Sequence, residues 1–362
     1  MLNYKKTYLL PFKFEIPNYS LAFIKKNSFF KIYLKYVKRY LYILLKRQNK
    51  LEIDHILNHH NSILWINLSA PSMGDSLMDL SNRVLLKDRS IDLFTDIKNA
   101  HLFLNDEIFE NVYTHINDFG IKKYDLVLLD SFSTRTIKIK AKVAPLVSYA
   151  GMFGYYNGPE VNRVLFGFHR MNQLLGYKKN EIELNLSSKA SLSISEEDIQ
   201  IVNNFKLPKK YICIAIGGEW NYRTYNKWDE VINLLISGDQ NLKIVLVGSN
   251  NAERASGELI EKISSKNLLN CVNQFSFMQT AEIINNSKVL ICCDGGLMHA
   301  ANSVNTPILA LFARLTPAMQ LTDSTISYSL YDEDDVNNIE VKSIFQSYFK
   351  LSSLVGNHPQ AL

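Results

Sequence analysis

The sequence predicts an α/β protein of two doubly wound domains, each built on a parallel sheet. Three observations predict it. The 362 residues are too many for one ordinary domain and suit two of roughly 150 residues each. From Ser62 onward, short apolar segments of strand length alternate with segments of helical pattern. Near Tyr211 the alternation begins again, and its strands stop at glycine-containing turns that open onto helices.

Residues 1–60 are expected to be a basic extension outside both domains. Residues 1–50 hold ten Lys and two Arg against Glu15 alone, a net +11, so the other 312 residues carry −6 of the chain's +5. Such a basic arm on a mildly acidic body suits an anionic partner, a membrane surface or nucleic acid. Phe29 to Arg47 predicts a helix. Phe30, Leu34, Val37, Leu41, Leu44 and Leu45 share one side at about 100° per residue, opposite Lys31, Lys35, Lys38, Arg39 and Lys46. The helix could pack on the body with its basic side in water. It could equally lie in a membrane interface, which the interleaved Tyr33, Tyr36, Tyr40 and Tyr42 suit. Nucleic acid is not expected, because no zinc, RNP or helix-turn-helix pattern accompanies the charge.

Residues 61–200 are expected to form the first domain. Ile63–Leu68 reads as its first strand, followed by a turn and a helix over Asp75–Leu86. Ile91–Phe94, Tyr124–Leu129 and Pro145–Tyr149 read as further strands. The polar, serine-containing stretch Leu184–Leu207 marks a junction. Residues 201–362 form the second domain, with strands over Tyr211–Ile216, Leu242–Val247, Lys288–Cys293 and Pro307–Phe312. Helices are expected over Trp228–Ile236, from Ala252 and over Leu297–Val304.

Composition narrows the function classes. Hydrophobic content of 47% and charged content of 21% are ordinary for folded proteins and exclude wholesale disorder. Lys or Arg interrupts every long apolar run, so no membrane span is expected, and no cleavable signal is evident. Cys213, Cys271, Cys292 and Cys293 have no CxxC spacing and lie in or beside strand-like runs, as buried thiols of a reducing compartment would. A cytoplasmic location follows. No GxGxxG follows the first strand, which weighs against a dinucleotide-dependent oxidoreductase.

Two turns carry the chemistry. Asp294-Gly-Gly-Leu-Met-His-Ala-Ala301 joins a buried strand to a helix, where glycines allow a tight turn and the first helical N–H groups offer an anion site. His299, one turn in, could add a donor. Asp294 could instead be a cap, and His299 a core residue. Ser72-Met-Gly74-Asp75 follows the first strand of the first domain, and Asp75 there is either functional or a helix cap.

Asp-x-Gly-x-x-His-x-Ala followed by Asn305-Thr-Pro-Ile-Leu-Ala-Leu-Phe312 resembles the C-terminal signature of bacterial heptosyltransferases, glycosyltransferase family 9. The Gly74-Asp75 turn is similar to the turn that carries that family's general base. Phe168-His169-Arg170 through Gly176 matches more weakly, and residues 1–60 have no counterpart. The resemblance implies a GT-B-like fold, with two Rossmann-like domains facing a cleft. It implies inverting, metal-independent transfer of heptose or a related sugar from a nucleotide-diphosphate sugar, with ADP-heptose as the implied donor, without a cofactor. The implied acceptor is the core of lipopolysaccharide, with a protein adhesin as the alternative. A silent sugar-nucleotide or nucleic-acid binding protein is the rival from another class. The implied roles are Asp75 as base on the acceptor hydroxyl with Gly74 beside it, and Gly217, Asp294, Gly295, Gly296 and His299 at the donor diphosphate. Asn273, Ser276 and Phe277 match nucleotide-contact positions, and Glu253 could accept from the ribose hydroxyls or be a plain first-turn acid. The family's usual lysine two residues before Trp228 is replaced by Asn226. Arg223 or Lys227 could supply the missing charge on the leaving group, or either could be a solvated helix-start cation. Through residues 1–50 the enzyme would sit at the inner face of the cytoplasmic membrane.

Overall fold

A computed structural model describes residues 29–120, 122–154 and 161–357. The chain divides into two compact units, one running to Ser193 and including Thr322–Ser324, the other comprising Ile194–Leu321 and the chain from Thr325. Helices Glu181–Ser187 and Glu196–Asn204 flank that boundary, so the second of them belongs to the second unit.

The sheet of the first unit holds β1 (Ser62–Asn67), β2 (Ser90–Thr95), β3 (Phe109–Tyr113), β4 (Leu126–Leu129) and β5 (Tyr149–Gly151). All neighbours pair in parallel in the order β3-β2-β1-β4-β5. Helices cover both faces of such a sheet, so central strands read as continuous apolar runs; Ile63, Leu64, Trp65 and Ile66 are all at most 1% exposed. Edge strand β3 escapes that signal because Glu110 and Asn111 face water. Pro145–Ser148, expected as strand, is a turn closed by Val147 N–H donating to Ala144 O at 3.3 Å, and β5 starts only at Tyr149.

The second unit holds β6 (Ile212–Ala215), β7 (Ile244–Val247), β8 (Leu268–Asn270), β9 (Leu290–Cys293), β10 (Ile308–Ala313) and β11 (Ser327–Asp332). Again every pair is parallel, in the order β11-β10-β9-β6-β7-β8. Alternate residues feed two cores. Ile212, Ile214, Leu246 and Leu311 pack with Trp228 and Leu235, while Cys213, Val245, Cys292 and Phe312 pack with Ile283 and Met298. All four cysteines are free and buried. Both sheets are therefore doubly wound, and each reverses strand order once, between β1 and β4 and between β6 and β9. Ligands of such folds bind outside the carboxyl ends of the strands at that reversal.

Helix α1 (Phe29–Leu45) docks on the first unit by the side opposite its apolar stripe, where Arg39, expected among the water-facing basic residues, is buried with Ile32 and Ile43. Ile43 packs among Leu64, Ile137 and Tyr149, and Ile32 is buried on the same side, while the Phe30–Leu45 stripe stays largely exposed. Just beyond α1, Gln48 accepts a hydrogen bond from the Lys140 ammonium and donates to Pro145 O at 3.1 Å. Among the described residues, no helix is long and apolar enough to cross a membrane.

Candidate active-site residues

In the first unit, the chain leaves β1 at the reversal point and turns through Ser72 into helix α2 (Met73–Asp79). Ser72 caps that helix. Its hydroxyl accepts from Asp75 N–H at 3.2 Å and lies 2.6 Å from Asp75 Oδ2, to which it donates. Asp75 is thus oriented by the cap, in the first turn, with its carboxyl half-buried; Gly74 beside it is buried.

Behind Asp75 lies a buried charge cluster that sequence reading did not single out. Asp79, one turn further along α2, accepts two hydrogen bonds of 2.6 Å each, from Nε and Nη2 of Arg163. Burial pushes the Asp79 carboxyl above the usual carboxylate range, and the Arg163 guanidinium only partly opposes this. Burial works against the charge of Arg163 in turn, but Asp79, Asp75 and Asp130 together raise its pKa further. Asp130, directly after β4 across the reversal, accepts from Leu68 N–H at 2.7 Å and Ser69 N–H at 2.5 Å. Its pKa is raised to about 6 by burial and by Asp79, against those two N–H donors. An acid closing an apolar strand, as Asp130 closes Leu126–Leu129, was the available sequence signal.

In the second unit, Asp294 directly follows β9 and is buried. Gly295 then enters helix α3 (Gly296–Ser303); glycine at the cap position has no side chain to cap with, and the start of such a helix presents backbone N–H groups of the kind that bind anions. Arg223, in the short turn Asn221–Arg223, reaches Asp294 Oδ2 with Nη1 at 2.9 Å. Burial lowers the Arg223 pKa, but Asp294 and Tyr222 outweigh it and hold the guanidinium charged. Tyr222 also receives Arg314 from the end of β10, its guanidinium carbon 3.8 Å from the ring centroid, within cation–π range. Arg314 was missed because a single basic residue after a buried strand carries no spacing signal. Lys227 goes elsewhere: its ammonium donates to Asn337 O at 2.7 Å, while Asn226 N–H donates to Asn337 Oδ1 at 2.8 Å.

The remaining candidates gather along the same edge. Gly217, after β6, has φ +91°, and a Cβ there would lie 2.9 Å from Ala252 Cβ. The loop after β6 can therefore approach the one after β7 only with glycine. Glu253 Oε1 accepts from Asn273 Nδ2 at 2.8 Å, and Asn273 N–H donates to Gly248 O at 2.9 Å, so Glu253, Asn273 and Gly248 form one group. Ser276 caps the helix Phe277–Asn285 in a reciprocal box with Gln279, which occupies its hydroxyl as an acceptor. The Phe277 ring lies 3.8 Å from where a Cβ on Gly296 would stand, beside the start of α3. His299 is 4% exposed on the buried side of α3.

Comparison with known proteins identifies the family. Residues 155–335 match the model of glycosyltransferase family 9 (heptosyltransferase). No curated protein sequence matches the chain. Among solved structures, the chain is similar to a family 9 glycosyl transferase from Veillonella parvula DSM 2008, with TM-score 0.67 and 14% identity over 82% of this chain and 99% of that one. It is also similar to the ADP-heptose lps heptosyltransferase II of E. coli, with TM-score 0.58 and 18% identity over 81% and 99%. The E. coli heptosyltransferase WaaC with ADP gives TM-score 0.59 and 16% identity over 81% and 98%. The fold is that of the GT-B glycosyltransferases, two parallel-sheet α/β domains, and the chain belongs to glycosyltransferase family 9, the heptosyltransferase family.

Proposed function

We propose that this glycosyltransferase moves heptose, or a closely related sugar, from ADP-heptose to the core of a lipopolysaccharide acceptor with inversion at the anomeric carbon. The observation that carries the reading is the glycine-led helix start at Gly295-Gly296 after β9, with Arg223 held against Asp294 beside it. Helix N–H groups and a fixed guanidinium are what a departing nucleotide diphosphate needs. The ADP in the WaaC structure and the ADP-heptose in the name of E. coli heptosyltransferase II support the choice of base and sugar.

The two units divide the chemistry. Asp75 takes the proton of the acceptor hydroxyl as its oxygen forms the new bond to the anomeric carbon. The bond from that carbon to the diphosphate breaks, and its electron pair leaves with the nucleotide. Arg223 and the start of α3 offset the charge that develops there, with His299 supporting that helix turn from within. Glu253 receives the ribose hydroxyls, and Phe277 flanks the diphosphate. Residues 1–50 hold the enzyme to the inner face of the cytoplasmic membrane, where a lipid-linked acceptor is made.

Calorimetric titration with ADP and UDP tests the donor half. Transfer from ADP-heptose to purified core acceptor, against an adhesin peptide, tests the acceptor half. Tight binding of UDP alone overturns the donor assignment, and transfer only to the peptide overturns the acceptor assignment.

A further inference from the structure

Helix α1 is apolar on two opposite sides, and only one of them is used by the fold. Ile32 and Ile43, with Arg39 buried and Tyr36 half-buried between them, fix the helix to the first unit. About half a turn away, the other line lies open: Phe30 is 67% exposed, Leu34 50%, Leu41 57% and Leu45 74%. The flanks of this line differ in chemistry. Exposed Lys31 and Lys38 border it on one side, and the exposed rings of Tyr33 and Tyr40 border it on the other. Beyond the helix follow exposed Lys46, Arg47 and Lys50, and no acidic residue occurs between Glu15 and Glu52. The hydrogen bond from Gln48 to Pro145 O sets Leu146, 86% exposed, near the same end of the helix.

We infer that this outward side of α1 is a docking surface for an anionic phospholipid bilayer, the helix lying in the plane of the headgroups. Leucine and phenylalanine side chains on a helix already anchored by its other side have no folding role, and water is their least favourable surrounding. A bilayer takes up all three components together. Acyl chains receive the central apolar line, the headgroup layer receives the tyrosines, and anionic lipid attracts the lysines. Nucleic acid would satisfy the lysines but leave the leucines in water. A second copy of this chain would bring an equal set of lysines against the first without acidic partners in this segment. The inference rests on the membrane attachment that the proposed function gives to residues 1–50 and narrows it to one side of α1.

Flotation of the full chain with phosphatidylcholine vesicles, with and without phosphatidylglycerol, tests it. The wild-type chain should float with the anionic vesicles and not with the neutral ones. Leu34→Gln combined with Leu41→Gln should reduce the bound fraction by at least about tenfold at an unchanged melting temperature, since both positions are exposed. Lys31→Gln and Lys38→Gln should each reduce it by roughly fivefold at low salt. Leu41→Trp supplies a second readout, a blue shift of emission on adding anionic vesicles. Equal flotation of wild type and the Leu34/Leu41 variant, or an unshifted Leu41→Trp spectrum, overturns the surface. So does a wild-type dimer that Leu41→Gln splits into monomers, because a second copy then covers the stripe. Transfer to a water-soluble acceptor fragment, measured in parallel, keeps the two proposals apart. Its absence in the wild type would overturn the proposed function and leave the vesicle result standing.

Discussion

Replacing Arg163 by methionine tests whether the carboxylates behind Asp75 depend on that guanidinium for their charge. Asp79 is 1% exposed and accepts both of its short hydrogen bonds from Arg163. Removing one partner of a buried pair typically costs about 3–5 kcal/mol, because the other charge is left in a medium that cannot solvate it. The pH dependence separates this cause from a simple packing defect. Burial already raises the Asp79 pKa in the native protein. An acid whose folded pKa is raised contributes stability that is complete below its unfolded pKa and is lost as pH rises through the folded value. Without Arg163 the folded pKa climbs further, so the loss grows and extends to higher pH. Destabilisation relative to wild type should therefore be small near pH 4 and reach about 3–5 kcal/mol near pH 8. Urea unfolding at a series of pH values reads it as a falling midpoint at constant slope. Adding Asp79→Asn to Arg163→Met removes the stranded charge and should restore at least half of the loss near pH 8. A loss that is the same near pH 4 and pH 8, or below about 1 kcal/mol near pH 8, refutes the reasoning.

Further outcomes follow from the site. Asp75→Asn should bind donor as well as wild type while turnover falls by roughly 10²–10⁴-fold, the usual worth of a general base; single-turnover kinetics would expose a helix cap by retaining wild-type rates. Arg223→Ala should weaken ADP binding by at least about tenfold, whereas Lys227→Ala, whose ammonium is committed to Asn337 O, should leave it nearly unchanged by calorimetry. Asp130→Asn should make stability less dependent on pH. Asp130 in the wild type costs stability progressively as pH rises toward about 6, and denaturation midpoints over that window should flatten in the variant. Exhaustive EDTA treatment should leave transfer intact, and activity that disappears and returns with Mg²⁺ would show that a metal carries the leaving-group charge assigned to Arg223.

What the sequence reveals depends on how far apart the interacting residues are. Central strands of a parallel sheet are buried on both faces, so β6, β7, β9 and β10 stand out as unbroken apolar runs bounded by polar or glycine turns. Edge strands β3, β8 and β11 carry Glu110, Asn270 and Ser329 because one side meets water, and they do not stand out. The anion site at Gly295-Gly296 can be read locally, since strand, glycines and helix are contiguous. Its cation cannot. Arg223 and Lys227 are equivalent in sequence, and only the tertiary fold sends one to Asp294 and the other to Asn337, 110 positions away. The pairing of Asp79 with Arg163, 84 positions apart, is hidden for the same reason. Helix α1 marks a further limit. Periodicity identifies its apolar stripe correctly but carries no information on which side the rest of the protein occupies. On a helix with two apolar lines, the longer one need not be the one that docks. Here the docked line is the shorter one, Ile32 and Ile43, with Arg39 buried between them and Tyr36 packed alongside. The longer line is thereby left to whatever surface the protein meets.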